Sequence, residues 1–272
     1  MPFVDNDGAR LHWKLEGSAS SNLVLLNSIG TDMSLWDEAM PYLLPHFRVL
    51  RIDTRGHGAS DATDGDYSLS MLAGDVLSVM DAAGVQRAIV AGVSLGGMIA
   101  MELALSEPHR VVSLALICTS ARVDASIWVA RVTQVRHNGL QSVAGLSVGR
   151  FLSPSFAQHH PEVAADLCRK LMLMNPSGYA GAGAAIRDMT LLDRVGEITV
   201  PTTVVAGLRD ISTPLDEHAA ILAARISGSR LFVIDTAHLA PIEAPETVAG
   251  IILDTRSQNT TPRMTNEWSN DA

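Results

Sequence analysis

The segment 89–97 constrains this chain more than any other stretch. Its apolar, β-branched first half predicts a buried strand, and residues 98–105 continue with the apolar spacing of a helix. Between them stands Gly92-Val93-Ser94-Leu95-Gly96, a Gly-x-Ser-x-Gly pattern that puts Ser94 on a sharp strand-to-helix turn. Glycines suit both sides of the serine because the two backbones come too close there for side chains. We therefore predict that Ser94 is a nucleophile held at the end of a strand.

Strand and helix patterns alternate along most of the chain. We predict eight strands, at 3–4, 10–16, 23–27, 49–53, 89–93, 111–118, 202–207 and 230–234. We predict helices at 34–44, 68–84, 98–105, 215–226 and 241–253. Such alternation is typical of an α/β fold, with a mostly parallel sheet covered by helices on both faces.

The alternation stops in one region and resumes after it. From about residue 121 to 192, helical segments follow one another without a comparable strand. We therefore predict a core made of 1–120 and 193–254, and a helical cap insertion at 121–192. Residues 255–272 contain almost nothing apolar, which predicts a disordered tail.

Composition excludes several classes of partner. The net charge is −9 and no cluster of Lys and Arg is present, so we expect no nucleic acid and no membrane surface as partner. No apolar stretch reaches the length of a membrane span, and the start has no signal-peptide pattern, so we expect a cytoplasmic protein. No spacing resembles a metal site, a phosphate loop or a dinucleotide fingerprint, so we expect no metal and no cofactor. A homo-oligomer is compatible with the sequence.

A serine hydroxyl needs a base to take its proton and a further group to orient that base. His238 follows the last predicted strand and Asp210 follows the strand before it. Because the carboxyl ends of parallel strands meet at one edge of a sheet, we predict a catalytic set of Ser94, His238 and Asp210. Capping of a helix is the alternative role for Asp210. Asp124 is the second choice for the acid, and Asp235 is too near His238 to serve.

The oxyanion that forms during attack by a serine needs hydrogen-bond donors. The amide of Leu95, at the start of the helix after Ser94, is one candidate. The second is the amide of Ile29, in the small-residue loop after the third strand, where a plain turn is the alternative interpretation. We expect His57 to brace its own loop rather than to act in a reaction.

Four segments together resemble the α/β-hydrolase fold family over residues 1–254: 92–97, 53–58, and the stretches around Asp210 and His238. Within that family the chain resembles the 3-oxoadipate enol-lactonases of the β-ketoadipate pathway of aromatic degradation. The residues that carry this closer resemblance are 27–32 with Trp36, 92–97, 128–131, 176–180 with 184–188, and 238–243.

The closer resemblance implies a small enol-lactone substrate with one carboxylate, opened to 3-oxoadipate through an acyl-enzyme. Such a site needs an apolar pocket and a cation, and the insertion offers Arg131, Arg136 and Arg187. We predict that Arg131 and Arg187 bind substrate and that Trp128 and Tyr179 form pocket walls. A carboxylesterase, a perhydrolase or a carbon–carbon bond hydrolase would use the same triad. A non-catalytic hydrolase-fold binding protein is the alternative from another class.

Overall fold

A computed structural model describes residues 2–257 of the chain. The strands are β1 (Phe3–Asn6), β2 (Ala9–Glu16), β3 (Asn22–Leu26), β4 (Arg48–Ile52), β5 (Ala88–Val93), β6 (Val111–Ile117), β7 (Thr202–Gly207) and β8 (Arg230–Ile234). The α-helices are α1 (Met40–Leu43), α2 (Leu69–Ala82), α3 (Leu95–Ser106), α4 (Ala125–Asn138), α5 (Ala144–Phe151), α6 (Pro154–His159), α7 (Pro161–Leu173), α8 (Pro176–Arg187), α9 (Ala219–Arg225), α10 (Ala240–Glu243) and α11 (Pro245–Ser257).

The strands form one sheet in the order β1-β2-β4-β3-β5-β6-β7-β8. The pairs β1–β2 and β2–β4 are antiparallel, and every other neighbouring pair is parallel. The first hairpin turns through Asp7 and Gly8, whose φ angles of 43° and 76° suit a two-residue turn between twisted strands. The predicted mostly parallel, eight-stranded α/β sheet is confirmed.

Both faces of the sheet are covered, because alternate strand residues point to opposite sides. In β3, Leu23 and Leu25 belong to the same apolar cluster as buried residues of α1 and α11, while Val24 and Leu26 belong to the cluster that includes α2 and α3. All four side chains are almost completely buried. This two-sided burial explains why the central strands are continuous apolar runs rather than alternating ones.

The segment between β6 and β7 contains the five helices α4–α8 and no strand. The helices α4 and α8 pack closely against each other. The segment is also tied to the rest of the fold, since the amide of Tyr67 donates to the carbonyl of Gly181 at 3.1 Å. Residues of α4, α5 and α8 also line the cavity that contains Ser94, so this segment forms part of the wall of the site described below.

Three predicted helices differ in their bounds. The helix expected at 34–44 is a 3-10 turn, Met33–Ala39, followed by the short α1, because Pro41 has no amide to continue an α-helical ladder. The helix expected at 215–226 begins only at Ala219, after a turn. The helix expected at 241–253 is divided into α10 and α11, and Pro245 begins the second.

The predicted tail 255–272 is wrong at its first three residues. They continue α11, and the Thr255 side chain is fully buried, with Oγ1 3.0 Å from Thr203 Oγ1 and from the carbonyl oxygen of Ile251. Burial of a hydroxyl with partners fits an amphipathic helix end, which composition alone does not detect. The rest of the predicted tail, 258–272, lies outside the described residues. Among residues 2–257, no helix has both the length and the apolarity needed to traverse a bilayer.

Candidate active site

The turn between β5 and α3 holds Ser94 in a strained conformation, with φ 55° and ψ −116°. A non-glycine residue rarely adopts a positive φ, so the surrounding structure must impose it. The two flanking glycines make the turn sterically feasible. A Cβ on Gly92 would lie 2.3 Å from the carbonyl carbon of Gly96, and one on Gly96 would lie 2.5 Å from the carbonyl oxygen of Leu26.

Strand β6 and the residues after it fix the backbone of Ser94. The Ser94 amide donates to the Ile117 carbonyl at 3.0 Å, and Thr119 Oγ1 donates to the Ser94 carbonyl at 2.6 Å. Ser94 itself is 6% exposed. The hydroxyl is therefore held on a rigid turn at the carboxyl edge of the sheet, as predicted from the sequence.

His238 and Asp210 form a buried pair, with His238 Nδ1 2.8 Å from Asp210 Oδ2. The Asp210 carboxylate also accepts hydrogen bonds from the Ser212 amide at 2.7 Å and from Thr213 Oγ1 at 2.6 Å. Burial acts to raise the pKa of Asp210, but attraction to His238 and these hydrogen bonds outweigh burial and lower the pKa to about 2. The ionised carboxylate accepts a hydrogen bond from the N–H at Nδ1, so Nε2 is the ring nitrogen that remains for other contacts. Asp210 thus makes the turn contacts expected of a cap and also binds the imidazole.

Contacts with the helical segment hold the loop that carries His238. The Leu239 amide donates to the Phe151 carbonyl at 2.9 Å, and the Phe151 ring stacks on the imidazole with 6.3 Å between centroids. Glu243 accepts a hydrogen bond from the Ser153 amide at 2.6 Å. Sequence reasoning did not find these roles of Phe151 and Glu243, because the partners are distant in the chain and form no local motif.

The loop after β3 carries the predicted oxyanion donor Ile29, which is 3% exposed. Asn27 fixes this loop: its Nδ2 donates to the Ile52 carbonyl at 2.7 Å, and its Oδ1 accepts from Trp36 Nε1 at 3.1 Å. The other predicted donor, Leu95, is the first residue of α3, and amides of a first helical turn have no partner within the helix. Both amides thus belong to segments next to Ser94 that are held by their own contacts.

A cavity of about 420 Å³ brings together most of the predicted site residues. Its wall includes Ile29, Ser94, Trp128, Arg131 and His238. The Arg131 guanidinium carbon lies 5.1 Å from the centre of the Trp128 ring, and Arg131 makes no ion pair with any residue in the range 2–257. The volume is within the usual range of small-molecule sites.

The structure does not place Tyr179 or Arg187 in the wall of this cavity. Tyr179 is fully buried under the loop after β3, where a Cβ on Gly30 would lie 3.4 Å from its Cε2 atom. Arg187 forms ion pairs with Asp66 at 2.8 Å and with Asp188 at 2.5 Å. Both residues lie on α8, and the helix directs one into the core and the other toward an acidic surface patch.

The cavity wall also contains residues that the sequence analysis did not assign to the site, among them Phe151, Arg150 and His218. Phe151 and Arg150 come from α5, and His218 immediately precedes α9. Nothing in the local sequence distinguishes them from ordinary helix-end residues. The helical segment and the β7–α9 connection bring them to the cavity only when they fold over the sheet.

The alternative acids have other partners. Asp124 lines the cavity but accepts a hydrogen bond from the Ser126 amide at 2.9 Å and so caps α4. Asp235 is paired with Arg209 at 2.6 Å and is exposed. Of the three carboxylates considered, Asp210 is the one bonded to His238.

The contacts of the 53–58 loop stabilise the backbone around the site. The Asp53 carboxylate accepts hydrogen bonds from the Met33 amide at 2.8 Å and the Ala59 amide at 3.0 Å. His57 is buried, its Nδ1 lies 3.0 Å from the Arg55 carbonyl oxygen, and burial lowers its pKa. These contacts agree with the expected bracing role of His57.

A larger groove of about 730 Å³ lies between Gly30, the segment after it and α7, and neither Ser94 nor His238 lines it. Lys170 crosses this groove: its Nζ donates to Ser34 Oγ at 2.6 Å and pairs with Asp166 at 3.1 Å. That contact ties α7 to the rest of the fold. The smaller cavity is the one lined by Ser94, Ile29 and His238, and His238 is bonded to Asp210, a set of groups that suits acyl transfer.

Comparisons with known proteins agree with this geometry. A family model described as alpha/beta hydrolase fold matches residues 22–245. The 3-oxoadipate enol-lactonase 2 of Acinetobacter baylyi is 31% identical over 225 residues, covering 82% of this chain and 84% of that protein. The pimeloyl-[acyl-carrier protein] methyl ester esterase of Pectobacterium carotovorum is 40% identical over 247 residues, covering 88% of this chain and 95% of that protein.

A solved structure extends the similarity to three dimensions. The crystal structure of the enol-lactonase from Burkholderia xenovorans LB400 has a TM-score of 0.91 and 32% identity to this chain, covering 94% of it and 100% of that chain. Family match, relatives and fold thus agree, and this protein belongs to the α/β-hydrolase fold family.

Proposed function

We propose that this protein is a serine hydrolase that opens 3-oxoadipate enol-lactone to 3-oxoadipate, with Ser94, His238 and Asp210 as its catalytic triad. One observation carries the proposal: Ser94, His238 and Arg131, an arginine that makes no ion pair within residues 2–257, line a single cavity, and His238 is bonded to Asp210. The similarity to two enol-lactonases supports the choice of substrate.

In the first step, Ser94 Oγ attacks the lactone carbonyl carbon and its proton passes to His238 Nε2. Asp210 keeps the imidazole in the required tautomer and stabilises its positive charge. The amides of Ile29 and Leu95 donate hydrogen bonds to the oxyanion. The ring C–O bond then breaks, and the leaving enol oxygen takes the proton from His238.

In the second step, water attacks the acyl-enzyme. His238 takes one proton from the water as the new C–O bond forms, and it returns that proton to Ser94 Oγ as the acyl bond breaks. The released enol becomes the ketone, which gives 3-oxoadipate. No other co-reactant is needed.

Arg131 binds the carboxylate of the lactone in this proposal. The Trp128 ring beneath its guanidinium restricts the side chain, so little rotational freedom is lost on binding. Both residues lie on α4, and we propose that residues 121–192 act as a cap that supplies substrate contacts to the core. Arg187 is paired outside the cavity and has no role in this proposal.

A carboxylesterase is the second candidate, because the methyl ester esterase relative is 40% identical over most of both chains. The same triad chemistry acts on a simple ester and on a lactone. The two candidates differ in what Arg131 contributes, since a neutral ester has no carboxylate for it to bind.

Turnover of freshly prepared 3-oxoadipate enol-lactone, followed by the loss of its ultraviolet absorbance, tests the proposal beside neutral p-nitrophenyl acetate. We expect strong preference for the lactone and loss of both activities in Ser94→Ala. Turnover of the ester without turnover of the lactone would be consistent with the proposed triad and would reject the proposed substrate. Failure of a fluorophosphonate probe to label Ser94 would reject the mechanism and favour a binding protein.

A further inference from the structure

A second histidine, His218, lines the same cavity as Ser94 and His238. It lies between β7 and α9, is half-buried, and has no part in the triad described above. Its hydrogen bonds define which of its ring nitrogens carries a proton, and that assignment determines what the side chain can do in the cavity.

The partner of His218 is Ser120, whose Oγ lies 2.9 Å from Nδ1. Ser120 Oγ also makes a short hydrogen bond with the carbonyl oxygen of Arg122. A carbonyl has no proton to give, so the single hydroxyl hydrogen of Ser120 must point to Arg122. Ser120 Oγ is therefore an acceptor toward His218, and Nδ1 is the nitrogen that carries the proton.

The other ring nitrogen is consequently an acceptor. Burial lowers the pKa of His218 below its ordinary value of 6.5, against the opposing influence of Glu217 and Asp210, so the ring is neutral near pH 7. Its Nε2 then has a lone pair and no hydrogen. It makes no hydrogen bond with any residue in the range 2–257, and it is not sealed inside the protein.

The chemistry of the substrate restricts what this acceptor can bind. An enol-lactone with an ionised carboxylate has no O–H or N–H group, so the intact substrate offers no donor to Nε2. After ring opening, the donors present are the enol O–H of the acyl group and water. The water of the second step has two hydrogens, of which only one passes to His238. His218 and His238 line the same cavity, so a water in that cavity can lie between the two imidazoles.

We propose that His218 Nε2 accepts a hydrogen bond from the water that hydrolyses the acyl-enzyme, and so orients that water for attack. The inference rests on the proposed acyl-enzyme mechanism. The water oxygen bonds to the acyl carbon, one water hydrogen passes through His238 to Ser94 Oγ, and the bond from Oγ to carbon breaks. The second hydrogen stays on the water oxygen and is held by His218, which gains and loses no proton.

Competition between water and methanol tests this role. Methanol has a single hydroxyl hydrogen, which goes to His238, so it has none left for His218. With p-nitrophenyl acetate in a methanol–water mixture, wild-type enzyme and His218→Phe are compared by the ratio of methyl acetate to acetate, measured by NMR. We expect the ratio to rise about 5- to 10-fold in the variant, which is the effect of losing one hydrogen bond to water. The ratio does not depend on how much enzyme is folded or on which step limits the rate.

His218→Gln is the matched variant, because its amide oxygen can accept the same hydrogen bond, and its ratio is expected between the other two. An unchanged ratio in His218→Phe would overturn the proposal for His218.

The rate of acylation is measured as release of p-nitrophenolate in a single turnover. In His218→Phe it should stay within about 2-fold of wild type, since no hydrogen bond of that step is removed. Slower acylation with an unchanged ratio would assign a structural role. If wild-type enzyme cleaves no ester and a fluorophosphonate does not label Ser94, the proposed acyl-enzyme mechanism itself fails. That failure can be distinguished from a failure of the His218 proposal, because the latter leaves ester cleavage intact and only the product ratio unchanged.

Discussion

Arg131→Met is the substitution that most directly separates a lactonase for carboxylate substrates from a general esterase. The guanidinium lies 5.1 Å from the centre of the Trp128 ring and makes no ion pair within residues 2–257, so its charge is available to a ligand. A hydrogen bond between charged groups contributes about 1.5 to 3 kcal/mol. Its loss should lower kcat/KM for the enol-lactone by about 10- to 150-fold, and KM should account for most of the change, because the carboxylate is bound before and during the reaction.

The matched control is Arg187→Met, which removes the same group from α8 outside the cavity, where Arg187 pairs with Asp66 and Asp188. In steady-state kinetics with the lactone and with neutral p-nitrophenyl acetate, only Arg131→Met acting on the lactone should show a loss of kcat/KM. If Arg131→Met slows both substrates equally, the side chain shapes the cavity and does not bind a carboxylate. An equal loss of lactone turnover in Arg187→Met would refute the assignment of the cation.

Three further substitutions test the physical basis of the fold and the site. Gly96→Ala places a Cβ 2.5 Å from the Leu26 carbonyl oxygen. This overpacking should lower the free energy of unfolding, measured in urea, by about 1 to 3 kcal/mol and should reduce kcat for ester hydrolysis. Wild-type values for both quantities would contradict the close approach. Because the pKa of Asp210 is lowered from 3.8 to about 2, its ionised form stabilises the fold above pH 4, and this contribution is lost as pH falls through 2. Wild type should therefore lose about 2 kcal/mol more unfolding free energy than Asp210→Asn between about pH 5 and pH 2, and equal pH dependence would refute the shift. Arg55 is 1% exposed and is bonded to Asp75 at 2.6 Å, so Asp75→Asn leaves a buried charge without its ion-pair partner. The free energy of unfolding, obtained from thermal melting, should fall by about 3 to 5 kcal/mol. A fall of less than about 1 kcal/mol would mean that Arg55 finds another partner.

The parts of the site that depend on neighbouring residues could be predicted from the sequence. The turn at Ser94 is a steric consequence of Gly92 and Gly96, which are two positions away on either side. The order of Ser94, Asp210 and His238 along a strand–helix alternation was enough to predict which strand ends meet, and the structure places Asp210 and His238 in contact. Their catalytic roles remain proposals that the experiments above address.

Other features needed information that no short segment contains. The bounds of the last helix depended on Thr255, a buried polar residue whose Oγ1 lies within hydrogen-bond distance of Thr203 Oγ1 and of the Ile251 carbonyl oxygen. Arg187 and Tyr179 were predicted to face the cavity together with Arg131 and were found elsewhere. All three residues suit a pocket equally well, so composition and motif could not distinguish them.

The sequence by itself determined the α/β alternation, the sharp turn at Ser94 and the strand ends that carry Asp210 and His238, because periodicity and backbone sterics are properties of adjacent residues. Only the tertiary structure decided which side chains line the cavity, including Arg131, the unpredicted His218 and Phe151. The reason is physical: the face that a helix between β6 and β7 presents to the cavity is selected by packing between segments far apart in the chain. The tautomer of His218 has the same origin, since its partner Ser120 follows a different strand.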